Sequence, residues 1–273
     1  MLAQTRLGFI GAGRMATALI RGLLDAALVA PRQILVADVD AEKAQTLVSG
    51  HGVSACASNP ELIRQADLVV LAVKPQHMVG VLDEIAPALR AAEQAFISIA
   101  AGVSLAKIQS HLGDEARVVR VMPNTPALIG AGVAGIAAGA RATPDDVART
   151  RAIFEAVGVA VVLDERDLDA VTAVSGSGPA YVFYFIESFI EAAIDAGLAP
   201  EVAALLVKRT VLGAARMANE LTPAPAELRQ AVTSRGGTTE AALRILREKG
   251  FQALLKRAVE AARERSIELG KMA

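Results

Sequence analysis

Leu7-Gly8-Phe9-Ile10-Gly11-Ala12-Gly13-Arg14-Met15-Ala16 decides the fold. A short apolar run of strand character leads without a spacer into G-x-G-x-x-A, and a helical pattern, Arg14–Ala27, follows directly. In that setting Gly11 permits the tight strand-to-helix turn, Gly13 lets the backbone approach a pyrophosphate, and Ala16 keeps the helix close to the sheet. The helix start then offers free N–H groups and the positive end of its dipole to phosphates. The loop predicts a dinucleotide site with Gly11, Ala12, Gly13, Arg14 and Met15 in contact with the cofactor. The alternative is a tight turn that binds nothing.

Asp38 closes the next expected strand, about 20 residues beyond the loop, where an acid accepts hydrogen bonds from the adenosine ribose and repels a 2′-phosphate. It leans the choice between NADPH and NADH towards NADH. Arg14 pulls the other way, since it can pair with a pyrophosphate or a 2′-phosphate. Asp38 and Asp40 also stand where either would cap the helix expected over Ala41–Ser49.

Working outward, Arg6–Ile10, Ile34–Ala37, Leu68–Val73, Ala95–Ile99 and Val118–Met122 read as strands. Arg14–Ala27, Ala41–Ser49, His77–Ala91 and Ser104–Leu112 between them read as helices. This alternation predicts an α/β fold: a Rossmann-like, mostly parallel sheet with helices on both faces. Ligands of such sheets lie beyond the carboxyl ends of the strands, which brings Ala72-Val73-Lys74-Pro75 to the cofactor. Ala100-Ala101-Gly102 holds the same position on the following strand, with small residues that leave room for a flat ring or make a tight turn. For Lys74 the alternative is a solvated strand-end charge. Thr143-Pro144-Asp145-Asp146 opens a further helix, with a capping Thr, Pro in the first turn and acids at the positive end. Gly158 is expected to stop it, and Val159–Leu163 to be one more strand.

After about Arg166 the pattern is helical throughout. We expect a dinucleotide-binding domain over residues 1–165 and an all-α dimerisation and substrate-binding domain over 166–273. Tyr181–Ala196 is apolar on nearly every face, which requires burial in a bundle or against a partner chain. Gly197 ends that helix, Pro200 starts the next, and Thr222-Pro223-Ala224-Pro225 is a turn. Phe251–Leu269 is amphipathic.

Composition narrows the function. A net charge of −1 gives no basic field for nucleic acid or an anionic membrane, and 3% aromatic residues with no Trp give no base-stacking platform. Cys56 is the only cysteine, and His51, His77 and His111 lack ligand spacing, so no metal site is expected. Val121–Ala140 is free of charge but holds two prolines and four glycines, which suits loops and short strands rather than a membrane helix. No charged leader precedes a long apolar segment, which predicts a cytoplasmic protein.

Three further strings are too particular for packing alone: Arg120-Val121-Met122-Pro123-Asn124-Thr125-Pro126, Ser175-Gly176-Ser177-Gly178-Pro179-Ala180-Tyr181 and Ser234-Arg235-Gly236-Gly237-Thr238-Thr239. The last is a polar Gly-Gly loop before a helix beginning near Thr239, with N–H groups and hydroxyls able to cradle a carboxylate. Its alternative is an ordinary cap and turn. Together with Gly11–Ala16 and Val73-Lys74-Pro75, these strings resemble the pyrroline-5-carboxylate reductase family, in order and spacing, from about Arg6 to Leu269.

The resemblance implies an NAD(P)H-dependent enzyme that reduces the cyclic imine 1-pyrroline-5-carboxylate to L-proline, the last step of proline biosynthesis. It implies that Ser234, Gly236, Gly237, Thr238 and Thr239 hold the substrate carboxylate and that the hydroxyl of Thr239, the candidate catalytic group, bonds the ring nitrogen. Glu165 matches a position near the substrate. Asn59 matches one near the adenosine ribose, with helix capping before Pro60 as its alternative. Ser175–Tyr181, read locally as a helix interruption with flexible glycines, would lie at the domain junction and dimer core; the alternative for its serines is a purely structural role. Interlocked dimers and rings of dimers follow from the same resemblance. The family's loop usually reads Ser-Pro-Gly-Gly; here Arg235 replaces the Pro. Two competing readings are a hydroxyacid-type dehydrogenase, which needs a buried base in its helical half, and a non-catalytic nucleotide-binding scaffold. Lys208, Lys249, Lys256 and Lys271 all lie in patterns of exposed character, against the first.

Overall fold

The computed structural model describes residue 2, residues 4–90 and residues 93–272. Ala91, at the end of the helix expected from His77, and the chain ends Met1 and Ala273 of the two expected domains lie outside the described residues. The strands are β1 (Leu7–Ile10), β2 (Ile34–Ala37), β3 (Ser54–Ala55), β4 (Leu68–Leu71), β5 (Ala95–Ser98), β6 (Arg117–Met122), β7 (Gly132–Ala138) and β8 (Gly158–Val162). They form one sheet in the order β3-β2-β1-β4-β5-β6-β7-β8, parallel except where β6 meets β7. The order reverses between β1 and β4, the point where such sheets open a crevice for ligands.

Between the strands run α1 (Arg14–Asp25), α2 (Ala41–His51), α3 (Asn59–Gln65), α4 (Met78–Ile85), α5 (Leu105–Leu112) and α6 (Pro144–Glu155). Every residue of β1, β2, β4 and β5 is buried, which requires helices on both faces. The register delivers this. Leu7 pairs with Ile34 and Leu68, and all three join Leu19, Leu23 and Phe154 in one core. Their neighbours Leu35 and Val69 point to the other face, against Leu62, Leu82 and Ile108.

Local chemistry sets the helix ends. Asp40 caps α2 through the N–H of Glu42, Ser58 caps α3, and Ser104 caps α5. Thr143 caps α6, as the sequence predicts, and Asp146 reciprocates by accepting the N–H of Thr143. Gly158 does not stop that helix. α6 ends at Glu155, and Gly158 instead opens β8, so close to Gly132 that a Cβ would stand 2.0 Å from its carbonyl oxygen. β7 is longer than the short strands expected in Val121–Ala140.

Contacts divide the described chain into two compact units. The first runs to Ser177 and takes in the chain again from Ala262; the second is Gly178–Ala261. The first also contains α7 (Leu168–Val171) and a π-helical turn, Thr172–Gly176. The second holds α8 (Gly178–Asp195), α9 (Pro200–Glu220), α10 (Pro225–Ala231), α11 (Thr238–Glu248) and the start of α12 (Phe251–Met272). No residue of α8 is buried in the single chain.

Candidate functional site

The glycine loop emerges from β1 as a tight turn. Gly11 has φ 100°, and a Cβ there would lie 2.7 Å from the carbonyl oxygen of Ala72, so only glycine fits. Gly13 stands at the start of α1, where a Cβ would meet nothing within 4 Å. That end of α1 has no side-chain cap and no acid in its first turn, which leaves its N–H groups available to an anion.

Gly11 and Gly13 open onto a cavity of about 580 Å³ that also gathers Asp38, Asn59, Ala72, Val73 and Lys74. Open space before Gly13, free helix N–H groups and an acid beside the loop suit the pyrophosphate and ribose of a dinucleotide. Other expected cofactor residues flank these in the chain. Ala12 is buried, Arg14 is exposed at the start of α1, and Met15 packs on the core. Pro75 opens a 3-10 turn. Ala100–Gly102 does not line the cavity: Ala100 is buried and Gly102 lies against Leu269 and Gly270.

Asp38 does not cap α2, which is the role of Asp40. Its Oδ2 accepts the N–H of Ala12 at 2.7 Å and its Oδ1 that of Asp40 at 2.9 Å. The carboxylate thereby ties the glycine loop to the turn after β2, and each oxygen keeps a second lone pair. Lys43, missed in the sequence, shares the cavity and pairs with Asp40 at 2.9 Å. That hydrogen bond lowers the pKa of Asp40 and raises that of Lys43. Its signal was the i, i+3 spacing from the capping acid. Asn59 is not a cap either, since Ser58 is. Its buried amide donates to Glu84 Oε2 at 2.7 Å, a second cavity acid that no local pattern marks. Burial, then Glu61, pushes the Cys56 thiol up, as befits an inert filler.

Glu165 is held within the first unit. Its Oε1 accepts the N–H of Leu105 at 2.7 Å and Nη1 of the nearly buried Arg120 at 3.0 Å. Asn124 joins two of the unusual strings: its Nδ2 donates to the carbonyl of Ser175 at 3.1 Å, and its Oδ1 accepts the N–H of Val133 at 2.9 Å. Ser175 Oγ donates back to the carbonyl of Val171 at 3.0 Å. The helix is interrupted here, as expected, by a π turn and a bend at Ser177, and a Cβ on Gly176 would press on Met122.

In the second unit, Gly237 leads into α11, which starts at Thr238, one residue before the expected start. The N–H of Gly237 closes on the carbonyl of Ser234 at 3.0 Å. Thr239 is half-buried and Thr238 exposed. Glu240, not anticipated, accepts the N–H of Gly236 at 2.7 Å; an acid in the first turn of a helix was the available signal. Lys208, Lys249, Lys256 and Lys271 are exposed.

The family described as pyrroline-5-carboxylate reductase dimerisation matches residues 165–269, and that described as NADP oxidoreductase, coenzyme F420-dependent, matches residues 6–102. A pyrroline-5-carboxylate reductase from Pseudomonas aeruginosa is 44% identical over 271 residues, covering 99% of this chain and 98% of the relative. The chain belongs to the pyrroline-5-carboxylate reductase family. As a member it is an NAD(P)H-dependent oxidoreductase with a Rossmann-like N-terminal part and a helical dimerisation region. A solved family member from Coxiella burnetii superposes with a TM-score of 0.92 at 38% identity, covering 97% of this chain and 98% of its own. One from Plasmodium falciparum, solved with NADP bound, superposes with a TM-score of 0.87 at 33% identity, covering 98% of each. Among the described residues no helix is long and apolar enough to cross a membrane.

Proposed function

We propose that this chain reduces 1-pyrroline-5-carboxylate to L-proline, with the cofactor held by residues 1–165 and the substrate by the helical residues 166–273. The observation that carries the reading is the pairing, in a member of this family, of a cavity suited to a dinucleotide with a Gly-Gly turn at the start of α11. The dimerisation region supports self-association, with the dimer as the working unit and rings of dimers as its higher assembly.

A bound nicotinamide supplies the hydride. Gly11 and Gly13 admit its pyrophosphate to the N-terminus of α1, and Asp38 and Asn59 face its adenosine ribose. Val73 and Lys74 border the same cavity. Ser234, Gly236, Gly237 and Thr238 receive the substrate carboxylate, and Thr239 Oγ1 holds the ring nitrogen, which ends as a protonated amine. An imine protonated in solution is already electrophilic, so the chain contributes position rather than a strong general acid. Asp38 favours the ribose diol of NADH over a 2′-phosphate, while Lys43 and Arg14 keep NADPH functional. We expect NADH use at least equal to NADPH use.

The test is NAD(P)H oxidation by purified protein with pyrroline-5-carboxylate and, separately, NAD(P)+ reduction with hydroxyacids. Oxidation with the imine alone is the expected result. Turnover with hydroxyacids, or cofactor binding without turnover, overturns the reading.

A further inference from the structure

The turn before α11 has a constraint that its sequence does not supply. Ser234–Gly237 closes by the bond from Gly237 N–H to the Ser234 carbonyl at 3.0 Å, and its third residue, Gly236, has φ 74°. Turns with a left-handed third residue favour Pro at the second position, because the ring presets φ there. The second position here is Arg235, which leaves that dihedral free. Gly236 adds the widest backbone freedom of any residue. Three adjacent soft residues, Arg235, Gly236 and Gly237, therefore precede the threonines at the start of α11.

Glu240 supplies what the ring would. From the first turn of α11 its Oε2 accepts the N–H of Gly236 at 2.7 Å, a charge-assisted bond that closes the turn onto its own helix. Its negative charge does not stand alone beside a carboxylate site, because Arg229, Arg235 and Arg247 line the same groove.

We propose that Glu240 is a positioning residue for the imine: by holding Gly236 it fixes the turn that presents Thr238 and Thr239, replacing the restraint of a proline at 235. The inference rests on the reading above, in which Ser234–Thr239 receives the substrate.

The test uses full-length, assembled enzyme as wild type, Glu240→Ala, Glu240→Gln, Arg235→Pro and the double variant Arg235→Pro/Glu240→Ala. In Glu240→Ala the KM for the imine rises about tenfold, equivalent to ~1.4 kcal/mol of lost orientation. The KM for the nicotinamide cofactor and the melting temperature stay at wild-type values. Glu240→Gln, which keeps an acceptor oxygen, recovers most of the loss, and adding Arg235→Pro to Glu240→Ala recovers it by the other route. Amide exchange over residues 234–240 quickens in Glu240→Ala and slows again in the double variant. An unchanged imine KM in Glu240→Ala overturns the proposal. So does a rise in both KM values with a lower melting temperature, or a double variant no better than Glu240→Ala. If the wild type does not turn over the imine, the functional reading falls; amide exchange then decides the restraint on its own, and unchanged exchange in Glu240→Ala overturns it.

Discussion

Asp38 commits both carboxylate oxygens to backbone N–H groups, and this changes what its replacement does. Unit charges ~5 Å apart at an effective dielectric of ~20 interact by roughly 3 kcal/mol before salt screening. Removing the charge therefore helps a 2′-phosphate, although Lys43 and Arg14 already offset part of the repulsion. Asp38→Ser also leaves the N–H of Ala12 without its carboxylate, so the glycine loop loosens for both cofactors. We expect the ratio of kcat/KM to move towards NADPH by about tenfold, chiefly through a higher KM for NADH, because the ribose end is remote from the reacting carbon. Steady-state kinetics with both cofactors check this; a wild type that strongly prefers NADPH, with no shift in the variant, assigns Asp38 to the loop alone. Thr239 gives the second prediction at this scale. Thr239→Val keeps the shape and removes one hydroxyl. A lost hydrogen bond to a charged group costs roughly 1.5–3 kcal/mol, or about 10–150-fold in turnover if the bond forms in the transition state. Cofactor affinity should hold, and unchanged turnover would reduce Thr239 to a helix-start residue.

At the scale of elements, the strand-loop-helix unit β1–α1 makes two glycines separable. Gly11→Ala forces a side chain into φ 100° and against Ala72, so it lowers the melting temperature by roughly 4 °C or more. Gly13→Ala has an ordinary φ of −77° and open space for its Cβ, so the fold survives. That space is where the pyrophosphate would approach, and cofactor binding should weaken by about tenfold, ~1.4 kcal/mol. Thermal melts and cofactor titration on both variants decide it; a Gly13→Ala protein that binds cofactor normally removes the loop from the site. This unit was legible in sequence because strand, turn and helix follow one another without a gap. Lys43 and Glu84 were not, since the sheet order and the faces of α2 and α4 bring them to the cavity. β7 escaped for a related reason: Gly132-Val133-Ala134-Gly135 has little strand propensity of its own, and pairing with β6 and β8 makes it a strand. The part played by Ser175 was not legible either, because its hydroxyl bonds the carbonyl of Val171 on its own helical turn, a choice that depends on how that turn is wound.

At the scale of the whole molecule, burial is divided unevenly. The sheet strands β1, β2, β4 and β5 are buried at every residue, whereas α8 has no buried residue in the single chain. Phe183 and Tyr184 are 65% and 71% exposed, and Phe185, Leu205, Leu206 and Leu212 are exposed as well. Apolar exposure on this scale marks a surface that another chain covers. Burying one such side chain contributes about 1.5–3 kcal/mol. A handful along α8 and α9 therefore offsets the ~4–15 kcal/mol of freedom lost on association, and the remaining ones appear as affinity. We expect at least a dimer by sedimentation at micromolar concentration, with a melting temperature that rises with protein concentration because the folded state is the assembled one. Phe183→Glu places a charge where the partner should lie. It should yield smaller species and lower helical content, since α8 has no core of its own to fall back on, while the glycine loop and its cavity, built on the sheet, keep their cofactor affinity. A wild-type monomer at micromolar concentration with an unchanged melting temperature across dilution would show that α8 and α9 are stable with their apolar faces in water.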